Sequence, residues 1–234
     1  VKQAQDLLIW HTEHIQKAMS SSFHVHFTPD FSRVRLSEGK HAYKYMNKPY
    51  GLKHWLENGL RMNMNIAMNT NTNTNTNANV TTIESELRDG IVILMDPDMI
   101  LLRPLLHDFT NEEVLWVDKK QPATKVVRHG FPMAQQDGYL NNEWMKLNFS
   151  YIVDKPEGSY VTRPEWSEGP LHWNTGPPYL VTVGDMYKIV VKWTEYAPRV
   201  LGTLRTVCSS SSSSRIESIV VVVSVSVRTS APPL

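Results

Sequence analysis

Two aspartates that follow a short apolar run are the strongest sign of chemistry in this sequence. Asp96 and Asp98 come directly after the five apolar residues IVILM at 91–95 and before the segment MILLRP at 99–104. In open α/β sheets, ligands bind beyond the carboxyl ends of the strands. Two hard oxygen donors at such an end suit Mg²⁺ or Mn²⁺, and the ion would bridge a diphosphate as a Lewis acid. The alternative is a surface turn in which Asp98 caps the next segment.

Histidine pairs are a second and weaker sign of metal chemistry. His24 and His26 alternate along FHVHF at 23–27, and His11 and His14 are spaced for one face of a helix. Imidazole nitrogens bind transition metals, but stable sites usually have further protein ligands. Because neither pair has a third candidate ligand nearby in the sequence, we favour a structural interpretation. The single cysteine, Cys208, excludes an intrachain disulfide and a cysteine-based zinc site.

The overall composition excludes several functional classes. The chain has 234 residues, with 24 Lys plus Arg against 23 Asp plus Glu, for a net charge of +1. That balance argues against a general nucleic-acid binder and against a polybasic membrane-surface protein. The longest apolar run, at 219–223, is too short to span a bilayer. The sequence begins with Val1 and shows no signal peptide, which suggests a fragment or a processed product.

Strand and helix patterns alternate along the chain, and this alternation predicts an α/β fold. The continuous apolar run at 91–95 is typical of a strand buried on both faces, as in a covered parallel sheet. Pro49 suits the first turn of a helix. Trp55 and Trp193 lie on helical apolar stripes, which favours positions in the core. The predicted helices are 1–19, 50–58 and 186–196, and the predicted strands are 23–27, 91–95, 114–117 and 179–183.

Two segments have a strongly biased composition. Residues 63–79 contain eight Asn in seventeen positions and alternate Asn with Thr, so we expect a flexible loop insertion, with a polar strand as the alternative. Residues 209–234 contain ten Ser and six Val. The predicted organisation is therefore one domain at 1–203 that carries this insert, followed by a tail at 204–234 that is disordered or non-native.

The run MDPDMILLRPL at 95–105 resembles the metal-binding strand of GT-A nucleotide-sugar glycosyltransferases. It is most similar to the plant and algal family of peptidyl serine α-galactosyltransferases and hydroxyproline O-arabinosyltransferases. Further resemblance lies, in the order of the family, in HFTPDFSR and YKYMNKPYGLKHWL between 26 and 56, GFPMAQQDGYL at 130–140, and WNTGPPYLVTVGDMYKIVVKWTEYAPRV at 173–200. Together these segments cover about residues 23–201.

The resemblance implies a GT-A-like fold, a Rossmann-like mixed sheet flanked by helices, here truncated. It implies transfer of a sugar from a UDP-sugar to a hydroxyl of Ser or hydroxyproline in a secretory-pathway glycoprotein, with Mn²⁺ or Mg²⁺ as cofactor. The expected location is the lumen of the Golgi or endoplasmic reticulum, with a membrane anchor outside this chain and no nucleic-acid partner. Because the departing phosphate can accept the hydroxyl proton in a retaining transfer, no catalytic side chain is assigned.

The resemblance also implies roles for individual residues near the nucleotide. Asp96 and Asp98 become ligands of the metal and, through it, of the diphosphate. Asn47 and Lys48 become candidates near the nucleotide, with Lys48 a point charge for a phosphate. The alternative for Lys48 is a solvated lysine at the start of a helix.

Four further positions are candidates for the sugar end of the donor. Gln135, Gln136 and Asp137 offer the paired donors and acceptors that sugar hydroxyls need, and the alternative is an ordinary polar loop. Gly176, in the Gly-Pro-Pro segment, would shape a wall of the site because glycine permits close backbone approach. Its alternative is simply the beginning of a strand.

The sequence departs from the family beyond residue 201. The family continues into a further helical segment and a later histidine that could complete the metal site, whereas this chain continues into the Ser/Val tail. One alternative function is therefore a catalytically incomplete remnant that binds nucleotide-sugar or nothing. Another is hydroxyproline arabinosylation. Serine galactosylation ranks first because the segments GPPY at 176–179 and DMYKI at 185–189 look closer to that branch.

Overall fold

The computed structural model describes part of the chain as helices, strands and short connections. The described residues are 2–15, 17, 26–32, 46–68, 85–96, 106–110, 125–136, 149–154, 157 and 175–207. The helices are α1 (Lys2–His14), α2 (Asn47–His54), which continues into a π-helical turn (Trp55–Gly59), α3 (Met64–Met68), α4 (Phe149–Ile152) and α5 (Val183–Val207). Residues 85–89 are also helical. The strands are β1 (Ile91–Leu94), β2 (Met133–Gln136) and β3 (Thr175–Thr182).

The three strands form one antiparallel sheet with β3 in the middle. Leu94 of β1 pairs with Tyr179, and Met133 of β2 pairs with Leu180. The prediction of a mixed α/β fold is confirmed at this level. The parallel pairing suggested by the apolar run is wrong for the described strands, because such a run reports burial on two faces and not the direction of the neighbouring strand.

Burial of β1 on both faces is confirmed. Val92 and Leu94, both 2% exposed, belong to the core that the sheet forms with α2 and α5. Ile93 points to the other face, where it belongs to a smaller cluster with Val127 and Leu180. Side chains alternate between the two faces of a strand, so a strand between two apolar layers must be apolar at every position.

The main core lies between the sheet and the helices α2 and α5. Leu52 and Leu56 are fully buried, and Trp55 is in the same cluster, as the helical stripe predicts. Two polar contacts join these helices. The Tyr50 hydroxyl donates to the carbonyl of Thr194 at 3.0 Å, and the Tyr187 hydroxyl donates to Glu57 Oε1 at 2.9 Å.

The prediction of a flexible loop over residues 63–79 is wrong at its beginning. Residues 64–68 form α3, in which Ala67 is fully buried and Ile66 packs against the main core. Asn63 caps this helix, because its Oδ1 accepts the Ile66 N–H at 3.0 Å. The Asn-Thr alternation begins only after this helix, and residues 69–79 lie outside the described residues.

Helix α5 is longer than predicted. It includes Pro198 and continues to Val207, whereas the sequence pattern predicted residues 186–196 and a domain limit at 203. Proline inside a helix removes one backbone hydrogen bond, which is why the pattern indicated an earlier end. Residues 208–234, the rest of the predicted tail, lie outside the described residues.

The remaining predicted elements are described in part. The N-terminal helix is confirmed as α1, and β3 confirms a strand over 179–182 that begins earlier, at Thr175. In the predicted strand at 23–27 only His26 and Phe27 are described, and they have no regular structure. The predicted strand at 114–117 lies outside the described residues. In the part of the chain that is described, no helix has the length and apolar character needed to cross a bilayer.

Candidate functional site

Several of the predicted site residues lie at one edge of the sheet. Because β1 and β2 are both antiparallel to β3, they run in the same direction and end at the same edge. Asp96 follows β1 by two residues, Gln135 and Gln136 close β2, and Gly176 lies near the start of β3. Two strand spacings, or about 10 Å, separate β1 from β2 across this edge. We call it the carboxyl edge.

Lys48 and Asp96 form an ion pair at the carboxyl edge. Lys48 Nζ donates to Asp96 Oδ1, and the two side chains are 29% and 34% exposed. Helix α2 supplies the lysine from its first turn, and β1 places the aspartate. The sequence assigned both residues to the nucleotide end of one site, and the fold brings them together from positions 48 residues apart. A partly exposed pair of this kind contributes at most about 1 kcal/mol to stability.

Asn47 has a structural role beside this ion pair. Its Oδ1 accepts the Phe31 N–H at 2.6 Å, and its Nδ2 donates to Asp30 Oδ1 at 3.4 Å. Asp30 Oδ1 also accepts the Ser32 N–H at 2.9 Å, which closes a local turn. Asn47 therefore links the turn at 30–32 to the beginning of α2 through hydrogen bonds. The sequence marked Asn47 as a residue near the nucleotide, and its described contacts are with protein.

Gln135 and Gly176 are neighbours across β2 and β3. Ala134 pairs with Tyr179, but the next residue, Gln135, pairs with Gly176. The register therefore shifts at Pro177 and Pro178. Proline has no N–H to donate to a ladder, which explains the irregularity at this point. Gln135 is exposed and Gly176 is buried. The backbone of Gln136 pairs with Thr175.

Two of the predicted site residues, Asp98 and Asp137, lie outside the described residues. Among the residues that the structure describes, no group of three or more His, Cys, Asp or Glu side chains is placed to hold a metal ion. Asp96 is the one predicted metal ligand that is described, and its partner is the Lys48 ammonium. A metal-bound diphosphate needs a carboxylate for the cation and a positive group for the phosphates. Lys48 and Asp96 supply one of each, side by side, and so fit such a ligand.

The opposite edge of the sheet has a carboxylate that the sequence analysis did not single out. Asp185, in the first turn of α5, accepts the Gly130 N–H on Oδ2 at 2.6 Å. His129 Nδ1 lies 2.9 Å from its Oδ1, and Lys188 Nζ lies 3.8 Å from the same oxygen. An aspartate directly after a predicted strand, at the start of a helix, was the signal available for this cluster.

The sequence also did not indicate that two distant histidines lie close together. His26 Nε2 and His54 Nδ1 lie 2.9 Å apart, between the segment at 26–32 and the end of α2. Local spacing along the sequence paired His26 with His24, two residues away. Nothing in a local pattern points to a partner 28 positions along the chain.

Comparison with known proteins leaves the family open. No protein-family model, no curated protein and no solved structure matches this chain.

Proposed function

We propose that this chain is the donor-binding part of a GT-A-type, UDP-sugar-dependent peptidyl O-glycosyltransferase. The observation that supports the proposal best is the ion pair between Lys48 and Asp96. These residues come from two separate segments that resemble the same family, and they meet at the carboxyl edge. Gln135 and Gly176, from two more such segments, pair with each other at that edge.

In this proposal the ion pair opens when the donor binds. Asp96, with Asp98, would hold Mn²⁺ or Mg²⁺, which when bound supplies positive charge to the diphosphate and its departing oxygen. Lys48 turns from Asp96 to the phosphates and neutralises part of their charge. Both residues are partly exposed, so they can exchange partners without burying an unpaired charge.

The other residues at the carboxyl edge would position the sugar. Gln135 is exposed and has an amide that can both donate to and accept from sugar hydroxyls. Gln136 and Asp137 follow it in the sequence and would extend that polar surface. Gly176 has no side chain, and in this proposal the backbone of β3 can therefore approach the donor closely there. Asn47 keeps the beginning of α2, and hence Lys48, in position.

The proposed acceptor is a Ser or hydroxyproline hydroxyl of a secretory-pathway glycoprotein, and the proposed sugar is galactose. The hydroxyl proton would leave with the departing phosphate, so this chain needs no strong base at the reacting atom. The corresponding location is the lumen of the Golgi or endoplasmic reticulum. Arabinose transfer to hydroxyproline is the second choice of reaction within the same proposal.

An assay of sugar transfer to peptides tests this proposal. The chain is incubated with UDP-galactose or UDP-arabinose, Mn²⁺ and peptides rich in Ser or hydroxyproline, and the peptides are analysed by mass spectrometry. We expect a gain of one hexose on Ser with UDP-galactose. Asp96→Asn should reduce the rate at least tenfold. The matched control is Asp89→Asn, which alters an exposed aspartate paired with Arg88, outside the proposed site.

A second candidate function follows from the departure beyond residue 201, where the family's next helical segment is replaced by the Ser/Val tail. In that case the chain binds UDP-sugar without transferring the sugar. Metal-dependent UDP binding together with unmodified peptides under every condition would favour this remnant. Transfer to a peptide would exclude it.

A further inference from the structure

His26 and His54 form a close imidazole pair between two separate segments of the chain. His26 Nε2 and His54 Nδ1 lie 2.9 Å apart, and the rings are tilted by 46° with their centroids 5.1 Å apart. Both residues are half-buried. The ring of Phe31 lies 6.1 Å from that of His54, so the pair has an aromatic neighbour on one side.

Metal ions bind the neutral form of imidazole through a nitrogen lone pair. In the hydrogen-bonded pair, one of the two facing nitrogens carries a proton and donates it in the hydrogen bond that the other facing nitrogen accepts. The acceptor ring already has its own proton on its second nitrogen, and the donor ring can move its proton to its second nitrogen, which frees both facing nitrogens as ligands.

The separation of these nitrogens matches that of two ligands on one metal ion. With metal–nitrogen bonds of about 2.0–2.1 Å, two neighbouring ligands lie about 2.8–3.4 Å apart for angles between 90° and 110°. The observed 2.9 Å is at the short end of that range. A metal requires the two rings to turn so that their lone pairs converge instead of facing each other. Both residues are only half-buried, so water can reach them.

We propose that His26 and His54 bind a divalent transition-metal ion of the Zn²⁺ or Ni²⁺ type. Imidazole nitrogens favour these ions, whereas carboxylate oxygens favour Mg²⁺ and Mn²⁺. The histidine site therefore differs from Asp96 in its residues and in the metal that it prefers, and it does not depend on the proposed function. The bound ion links the segment at 26–32 to α2, next to the contacts that Asn47 makes with Asp30 and Phe31.

Calorimetric titration of the full chain with Zn²⁺, and separately with Ni²⁺, tests this inference. We expect saturable binding that weakens at least tenfold in His26→Gln and in His54→Gln. The matched control is His14→Gln, because His14 is exposed on α1, where its Nδ1 donates to the Trp10 carbonyl at 2.8 Å and its ring stacks on that of Trp10. The control should bind Zn²⁺ as the parent chain does. Equal affinity in His26→Gln and the parent chain would overturn the proposal.

A second measurement on the unmodified chain covers the case in which a variant fails to fold. Nuclear magnetic resonance of the imidazole nitrogens during a Zn²⁺ titration should shift His26 Nε2 and His54 Nδ1 before those of the other histidines. Mn²⁺ at the same concentration should broaden the signals of these two nitrogens less than signals near Asp96. A first response at His11, His14 or His129 would overturn the assignment.

Discussion

The two edges of the sheet each carry an aspartate, and these two aspartates differ in their exposure and in the number of contacts that they make. At one edge, Asp185 has a side chain that is 13% exposed and takes contacts from Gly130, His129 and Lys188. At the carboxyl edge, Asp96 is 34% exposed and its partner is Lys48. A carboxylate with several protein contacts has a structural role. A more exposed one with a single flexible partner can exchange it for a ligand.

The edge at Asp185 is also closed by close packing. The Val183 N–H donates to the Gly90 carbonyl at 2.8 Å, where β3 turns directly into α5. A side chain at Gly184 would begin 2.6 Å from Arg88 Cγ, so this position accepts only glycine without a shift of the arginine. The comparison therefore predicts that substitutions at this edge change stability, and that substitutions at the carboxyl edge change binding.

The largest effect on stability should come from the core that holds both edges in place. Leu52 is fully buried between α2 and the sheet. Leu52→Ala should lower the free energy of unfolding by about 2–5 kcal/mol, because it removes apolar contacts and leaves a cavity. Chemical denaturation monitored by circular dichroism measures this. A loss below 1 kcal/mol, on the same scale as a surface substitution, would contradict the described core.

A smaller loss of stability is expected at Asp185. Asp185→Ala leaves the Gly130 N–H and His129 without their acceptor and should cost about 1–3 kcal/mol. The same denaturation measurement applies, with Asp89→Ala as control. Asp89 is 53% exposed and paired with its neighbour Arg88, so its loss should cost at most about 1 kcal/mol. Equal losses for the two variants would remove the distinction between a structural and an exposed carboxylate.

At the carboxyl edge, stability should change little. A double-mutant cycle with Lys48→Met and Asp96→Asn should give a coupling free energy of at most about 1 kcal/mol, because both side chains are about one-third exposed. Increased salt should reduce it further. A coupling above about 2 kcal/mol would identify the pair as a structural element and weaken the case for ligand exchange.

The smallest effect concerns pH. Burial and His54 lower the folded-state pKa of His26, so between that value and 6.5 the unfolded chain binds more protons at this position. The contribution of His26 to stability is therefore complete above the unfolded pKa and is lost as the pH falls below it. His26→Gln should make the unfolding free energy less dependent on pH between about 7.5 and 5. A pH dependence that is the same in His26→Gln and in the parent chain would contradict the assignment.

Local patterns predicted the elements whose apolar spacing is regular. The run at 91–95 predicted β1 and its burial on both faces, and the stripe through Leu52, Trp55 and Leu56 predicted the core side of α2 and its π-helical turn. The pattern misjudged residues 63–79, because the low-complexity repeat obscured the apolar residues Ile66 and Ala67 at its beginning. The direction of strand pairing could not be predicted from the sequence, because a run of apolar residues does not encode it.

The sequence marked individual residues for a candidate site, but it did not indicate the contacts that these residues make. The sequence marked Asn47, Lys48 and Asp96 for one site, and the fold brings the last two into contact. That Asn47 would bind the turn at 30–32, and that His26 would meet His54, depended on how distant segments pack. Such contacts follow from tertiary structure, which spacing along the chain does not record.

Calorimetric titration of the chain with UDP, in Mn²⁺ and then in a metal chelator, tests the central claim most directly. The account predicts saturable UDP binding in Mn²⁺ that weakens at least tenfold with chelator, with Asp96→Asn and with Lys48→Met. Asp89→Asn, away from the carboxyl edge, should bind UDP as the parent chain does. UDP binding that is absent, or that is the same in Asp96→Asn and the parent chain, would contradict the assignment of the carboxyl edge as a donor site.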